Sequence, residues 1–214
     1  MAEKKLTVEQ LVVGQMQANC YLVTDEVTKD TLIVDPGDDG EYIIEAIQKK
    51  QLKPQAIVAT HGHFDHIMSA FELQHTYDVP FLIGDGDEFL LSQMGASAKH
   101  FLGLKDVDPP PKPTKTLHNG ESVNVGSHQL SVLTIPGHTP GSIALVSRPD
   151  KWIIVGDVLF AGGAIGRSDF SYSDPDEIGK SVQKILAFPK DFTLYPGHGE
   201  KTTIRSSLID CKLD

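Results

Sequence analysis

The sequence predicts an α/β (α+β) protein in which helices cover a layered sheet. Three observations predict this. Short apolar, β-branched runs bounded by Gly, Pro and Asp recur along the whole chain. Stretches with helical apolar spacing interrupt those runs instead of following them as a separate block. The 214 residues, 40% of them hydrophobic, suffice for one sizeable domain, residues 1–214, with a real core and no disulfide support.

The elements follow in order. Leu11–Val13, Cys20–Thr24 and Thr31–Val34 read as three short strands in a meander, the last ended by the turn Asp35-Pro36-Gly37. Residues 41–50 carry Ile43, Ile44 and Ile47 at helical spacing, with Lys49 and Lys50 in the last turn. Pro54 opens a strand that runs through Ala56–Thr60. Residues 67–77 read as a helix burying Met68, Phe71, Leu73 and Tyr77, and 80–83 as a strand. Residues 85–94 read as a helix capped by Asp85 or Asp87. Residues 95–113, rich in Gly, Lys and Pro, show no clean period and read as an irregular surface excursion, either a flap over a site or a passive loop. Strands return at 121–125, 130–135, 142–146 and 152–155. A helix at 174–186 has Pro175 in its first turn; a strand at 192–195 and a short helix at 202–210 complete the chain.

Composition excludes several functions. A net charge of -10 opposes nucleic acid as a partner, because phosphate backbones demand a basic face. No apolar run is long enough to span a bilayer, and Met1-Ala2-Glu3-Lys4-Lys5 does not begin a signal peptide, so a cytoplasmic protein is expected. Cys20 and Cys211 make no disulfide framework, which fits a reducing compartment; Cys20, within a strand, reads as a small buried hydrophobe.

The chemistry concentrates in His61-Gly62-His63-Phe64-Asp65-His66, which follows the strand ending at Thr60. Three imidazoles and a carboxylate in six residues are the donors that zinc, iron and manganese accept. On an extended turn His61 and His63 can chelate one ion, while Asp65 and His66 fall to the other side and can hold a second. Three other places repeat one pattern, an apolar run followed by a glycine-flanked polar residue. They are Pro136-Gly137-His138, Gly156-Asp157 and Pro196-Gly197-His198. Each alone is a weak signal; strand ends on one side of a sheet are where α/β proteins collect ligands.

With these motifs, and with Asn19-Cys20-Tyr21-Leu22, Asp35-Pro36-Gly37 and Tyr195-Pro196-Gly197-His198-Gly199, the chain resembles the metallo-β-lactamase fold superfamily in its glyoxalase II-like (hydroxyacylglutathione hydrolase-like) branch. The resemblance implies a four-layer αββα sandwich with a dinuclear metal site at one edge of the sheets. Carried over by motif, His61, His63 and His138 bind the first metal, Asp65, His66 and His198 the second, and Asp157 bridges both. The implied cofactors are two divalent ions, zinc first, with iron or manganese also used in this branch. Asp65 and Asp157 are the implied catalytic carboxylates.

The implied reaction is hydrolysis of a small-molecule thioester such as S-lactoylglutathione by a metal-bound hydroxide. A thiolate leaves with little acid assistance. No Gly-x-Ser-x-Gly turn is present, and neither cysteine has a histidine near it in sequence, so covalent catalysis is not indicated. Only residues 199–214 follow His198, so the C-terminal helical domain of full-length glyoxalase II enzymes is not expected. The alternatives are a persulfide dioxygenase with one iron on His61, His138 and Asp157, or a hydrolase of another ester, lactone or lactam. Around the site, Asp35 and Thr139 are candidates to hydrogen-bond ligand histidines, and Arg167 to pair with a buried carboxylate near the metal loops. His75, His100, His118 and His128 read as surface or turn residues, and Lys99, Lys112 and Lys115 as solvated.

Overall fold

A computed structural model describes residues 5–210; Cys211 lies outside them. Two six-stranded sheets form the centre. The first holds β1 (Leu6–Val13), β2 (Ala18–Asp25), β3 (Asp30–Val34), β4 (Lys53–Ala59), β5 (Phe81–Gly84) and β6 (Pro113–Leu117), paired in that order. β1, β2 and β3 form the expected antiparallel meander, and β3 to β6 run parallel. The second holds β7 (Ser122–Val125), β8 (His128–Thr134), β9 (Ile143–Ser147), β10 (Trp152–Gly156), β11 (Thr193–Pro196) and the short β12 (Thr202–Thr203). Only β10 and β11 are parallel within it.

Strand alternation builds the layers. Successive side chains on a strand point to opposite faces. Leu32, Val34, Ala56 and Val58 therefore face inward and meet Val132, Leu145, Trp152 and Ile154 of the other sheet. Their neighbours Ile33, Ile57 and Ala59 face outward and pack under α1 (Gly40–Lys49), α2 (Ala70–Tyr77) and α3 (Glu88–Leu102), through Ile43, Ile47, Leu73, Leu91 and Met94. On the other side Ile153, Val155 and Leu194 pack under α4 (Pro175–Leu186) and α5 (Ile204–Asp210), through Ile178, Val182, Ile185 and Ile204. The result is the four-layer αββα sandwich. Asp174 caps α4 by accepting from the backbone N–H groups of Asp176 and Glu177, with Pro175 behind it.

The segment 95–113 is an irregular, mostly exposed excursion only over residues 103–112. α3 runs through Gly95 to Leu102 and ends on Gly103, which has a left-handed backbone (φ 69°). Leu91, Met94 and Ala98 keep the helical spacing and are buried. The chain then returns as β6, an edge strand with a proline at its first residue and exposed lysine and threonine. The helix expected at 67–77 begins later, at Ala70, after a 3₁₀ turn over Phe64–His66. Met68 and Leu73 are buried as expected, whereas Phe71 and Tyr77 are half-buried. Among the described residues no helix is long and apolar enough to cross a membrane.

The topology gathers strand ends at one edge. Parallel β3, β4 and β5 deliver Asp35, the stretch His61–His66 and Asp87 to the same end of the first sheet. β8, β10 and β11 deliver His138, Asp157 and His198 from the second. The two sheets are tied there by Ile143 N–H donating to Thr60 O at 2.8 Å and Asn19 N–H donating to Gly197 O at 2.7 Å.

Candidate metal centre

The seven residues singled out in the sequence converge at this edge. His61, His63 and His138 form one cluster of ligand-competent atoms, and Asp65, His66 and His198 form another. Asp157 lies between them: its Oδ1 is 3.5 Å from His66 Nε2, and its Oδ2 is 3.8 Å from His138 Nε2 and 3.5 Å from His198 Nε2. Asp65 Oδ2 lies 3.4 Å from His198 Nε2.

Each histidine presents one nitrogen to the centre because its other nitrogen is held from behind. His66 Nδ1 donates to Asp35 Oδ2 at 3.2 Å. His138 Nδ1 donates to Arg167 O at 2.8 Å, and His198 Nδ1 to Gln17 O at 3.2 Å. Thr60 Oγ1 gives its proton to Asp35 at 2.6 Å and so accepts from His61 Nδ1 at 3.0 Å. His63 Nε2 meets Tyr172 OH at 2.8 Å, leaving Nδ1 inward. A carbonyl or carboxylate can only accept, so its partner nitrogen carries the proton and the inward nitrogen carries a lone pair.

The inward atoms are short of partners. His61 Nε2 and Asp157 Oδ1 are buried without a hydrogen bond. His138 Nε2 faces His63 Nδ1 at 3.0 Å, and His66 Nε2 faces His198 Nε2 at 3.2 Å. Between His138 Nε2 and His63 Nδ1 two lone pairs repel, and between His66 Nε2 and His198 Nε2 only a proton can be shared; a cation at either place satisfies both nitrogens. The donor set therefore fits metal ions. Asp35 also lies near His61 and His66, but Thr60 N–H and Oγ1, each at 2.6 Å, occupy its oxygens.

The protonation preferences agree with this division. Burial, reinforced by neighbouring histidines, holds His61 well below the usual imidazole range and lowers His63 to about 3. Burial would lower His66 too, but Asp157 and Asp65 outweigh it and raise it well above that range. Burial opposes ionisation of Asp157, yet His66, His198 and His138 pull it well below the usual carboxylate range. His61 and His63 are thus neutral, whereas His66 is paired with carboxylates.

Residues 13–209 match the sequence profile of the Metallo-beta-lactamase superfamily. The chain belongs to this superfamily. Its relatives within the metallo-β-lactamase superfamily include the hydroxyacylglutathione hydrolase GloC of Haemophilus influenzae, 33% identical over 201 residues that cover 93% of each chain. The probable metallo-hydrolase YqgX of Bacillus subtilis is 34% identical over 198 residues, covering 91% of each. Among solved structures, TTHA1623 in a di-iron-bound form superposes with a TM-score of 0.86 at 32% identity, covering 94% of this chain and 98% of that one. The BLEG-1 B3 metallo-beta-lactamase gives 0.85 at 31% identity, covering 96% and 98%. ETHE1 from Myxococcus xanthus, at 23% identity and a TM-score of 0.74, shares the fold.

Some roles expected around the metallo-β-lactamase site change. Arg167 does not pair with a buried carboxylate. Its guanidinium makes a bidentate, exposed pair with Asp169 at 2.9 and 3.0 Å and stacks on Phe170; only its carbonyl serves the site. Thr139 donates to Asp87 Oδ2 at 2.6 Å, not to a ligand histidine. Asp35 does hold a histidine, as expected. Asp87 occupies the N-cap position of α3 but makes no capping bond.

Instead, the buried Asp87 carboxylate accepts from Gly62 N–H at 2.8 Å, Gly141 N–H at 2.6 Å and Thr139 OH. Burial pushes its pKa up despite these bonds. It joins the turn carrying His61 and His63 to the turn carrying His138. Gly62 and Gly141 are required by this close approach: a Cβ at Gly141 would press on the Asp87 carboxylate, and one at Gly62 on Leu90 and the Asp87 backbone. Sequence reasoning missed Asp87 in this role and missed Tyr172. An aspartate after a parallel strand next to the ligand-bearing strand was the available signal for Asp87. Nothing in Phe170-Ser171-Tyr172 announces Tyr172.

Proposed function

We propose that the protein is a dinuclear metallohydrolase that cleaves thioesters, of which S-lactoylglutathione is the test case. The observation that carries this is the orientation of all five histidines, each backed by a hydrogen bond, with His66, His138 and His198 each turning one nitrogen to a shared carboxylate, Asp157. His61, His63 and His138 would hold one ion, Asp65, His66 and His198 the other, with Asp157 bridging. Divalent ions in such a site generate a nucleophile from water at neutral pH and polarise an acyl oxygen.

The chain's own residues do the rest. Asp65 and Asp157 line the floor of the cleft, and Asp65 takes up the proton that attacking water releases. Tyr172 and the Arg167 carbonyl fix the rings of His63 and His138 against rotation as charge develops. A thiolate leaving group requires no separate acid. The 33% identity to GloC supports the thioester as the substrate class.

The test is hydrolysis of S-lactoylglutathione by metal-loaded protein, beside His66→Ala and Asp157→Asn loaded identically. Thioester cleavage that falls at least a thousandfold in both variants is expected. Oxygen consumption with glutathione persulfide and no thioester cleavage would replace this reading with a one-iron dioxygenase on His61, His138 and Asp157. Preference for a β-lactam over every thioester would replace it with a lactam hydrolase.

A further inference from the structure

Above the metal centre lies a cleft of about 530 Å³ whose walls are aromatic and aliphatic. Phe64 and Phe101 stack on one another, with centroids 5.7 Å apart and planes 3° from parallel. Phe170 and Tyr172 stack likewise at 5.3 Å and 13°. Phe160 and Ile165 also line the cleft. Large apolar side chains are left uncovered at its mouth: Phe101 is 52% exposed, and Met16 and Ile165 are exposed too. An apolar concavity of this kind that opens onto reactive groups is a binding surface, because uncovered aromatic area is costly in water.

Charge on the walls is nearly cancelled. Among the described residues Arg167 is the only lysine or arginine lining the cleft, and Asp169 holds its guanidinium in a bidentate pair. Glu200 adds a negative charge. Among the described residues no unpaired lysine or arginine on the walls stands ready for a substrate carboxylate, and a carboxylate placed against the walls would lose its hydration without a partner.

We infer that this cleft selects thioesters by an uncharged, apolar arm, an aryl or medium-chain alkyl group lying between the two aromatic pairs, rather than by carboxylates. The inference rests on the thioesterase reading above and narrows its substrate class. The floor of the cleft is formed by His63, Asp65, His138, Asp157 and His198, so an occupant of the walls presents its neighbouring carbonyl to the centre. Water is consumed, and a carboxylic acid and a thiol leave. The arm itself is unchanged.

The experiment uses thioesters of one neutral thiol, N-acetylcysteamine, with acetyl, butyryl, hexanoyl and phenylacetyl arms, compared with S-lactoylglutathione. Burial of a methylene supports a rise in kcat/KM of about threefold per added carbon until the cleft is filled. The hexanoyl and phenylacetyl substrates should exceed S-lactoylglutathione. Phe101→Ala, at a half-exposed position, should flatten that slope. A readout independent of turnover is calorimetry with the S-benzyl and S-carboxymethyl thioethers of the same thiol. The benzyl compound should bind at least tenfold more tightly, with a negative heat-capacity change.

A flat series, or a preference for S-lactoylglutathione that salt abolishes, overturns the inference and leaves the thioesterase reading standing. Failure to cleave any thioester while metal is bound overturns both. A dimer that dissociates in Phe101→Ala, with an unchanged chain-length slope, would assign the exposed rim to a second copy and overturn the inference as well.

Discussion

Asp87 offers the sharpest stability prediction. Among the described residues its carboxylate is the only acceptor for two backbone donors, Gly62 N–H at 2.8 Å and Gly141 N–H at 2.6 Å. Thr139 OH, its third partner, has a substitute in Ser142 Oγ at 2.7 Å. Asp87→Ala therefore strands two donors, each costing about 1–3 kcal/mol, so a loss of about 2–6 kcal/mol is expected. Asp87→Asn keeps one oxygen but turns an NH₂ group toward one of the two N–H donors. It strands one donor and recovers some of the desolvation of a buried carboxylate, so its loss is about 1–3 kcal/mol. Because Asp87 joins the His61–His63 turn to the His138 turn, the same variants should weaken metal at that cluster first. His66 is held through Asp35 and His198 through Gln17, so the cluster they form with Asp65 should keep its ion. Urea unfolding of apo protein gives the stability, and metal retained after graded chelation gives the site effect. Asp87→Ala within 0.5 kcal/mol of the parent, or equal loss of metal from both clusters, would refute the reasoning.

Further outcomes follow from other contacts. Tyr172→Phe removes the hydroxyl 2.8 Å from His63 Nε2 and should weaken the first cluster's metal affinity about tenfold, measured by competition with a chromophoric chelator. Gly197→Ala would drive a methyl group onto Asp157 Oδ1 and close to His66 Cε1, so metal content and hydrolysis should both collapse while far-UV circular dichroism keeps the parent's shape. Asp25 accepts from the N–H groups of Val27, Thr28 and Ser127 and joins the turn after β2 to the β7–β8 hairpin. Burial opposes its ionisation, but these bonds prevail and lower its pKa to about 2. A carboxylate depressed in the native state stabilises above its unfolded value near 3.9, and that contribution is lost as pH falls from about 4 to 2. Asp25→Asn should remove this part of the acid sensitivity, read from urea midpoints at pH 2.5, 4 and 6.

The ligands were legible because each follows the same local rule. An apolar run fixes a buried strand, glycine stops it, and one polar side chain is left at the strand's end, as at Gly156-Asp157 and Gly197-His198. Strand alternation at Leu32–Val34 and Trp152–Val155 likewise made the sheets visible. What escaped was set by contacts between segments distant in sequence. Asp87 has the spacing of a helix cap, and only the proximity of Gly62 and Gly141 turns it into a clamp. Arg167 lay near the expected carboxylates in sequence, but Asp169, two residues on, captured it. In α3, Gly95 obscured an apolar spacing at Leu91, Met94 and Ala98 that was present throughout. β6 is a polar edge strand whose pairing with β5 no periodicity reveals.

Two metal positions sharing Asp157 are the centre of the proposed function. The most direct test is metal content per chain, on protein purified without added metal, for the parent, His63→Ala from one cluster, and His198→Ala from the other. Two metals in the parent and close to one in each variant are predicted. One metal in the parent, kept in His198→Ala and lost in His63→Ala, would contradict the dinuclear centre.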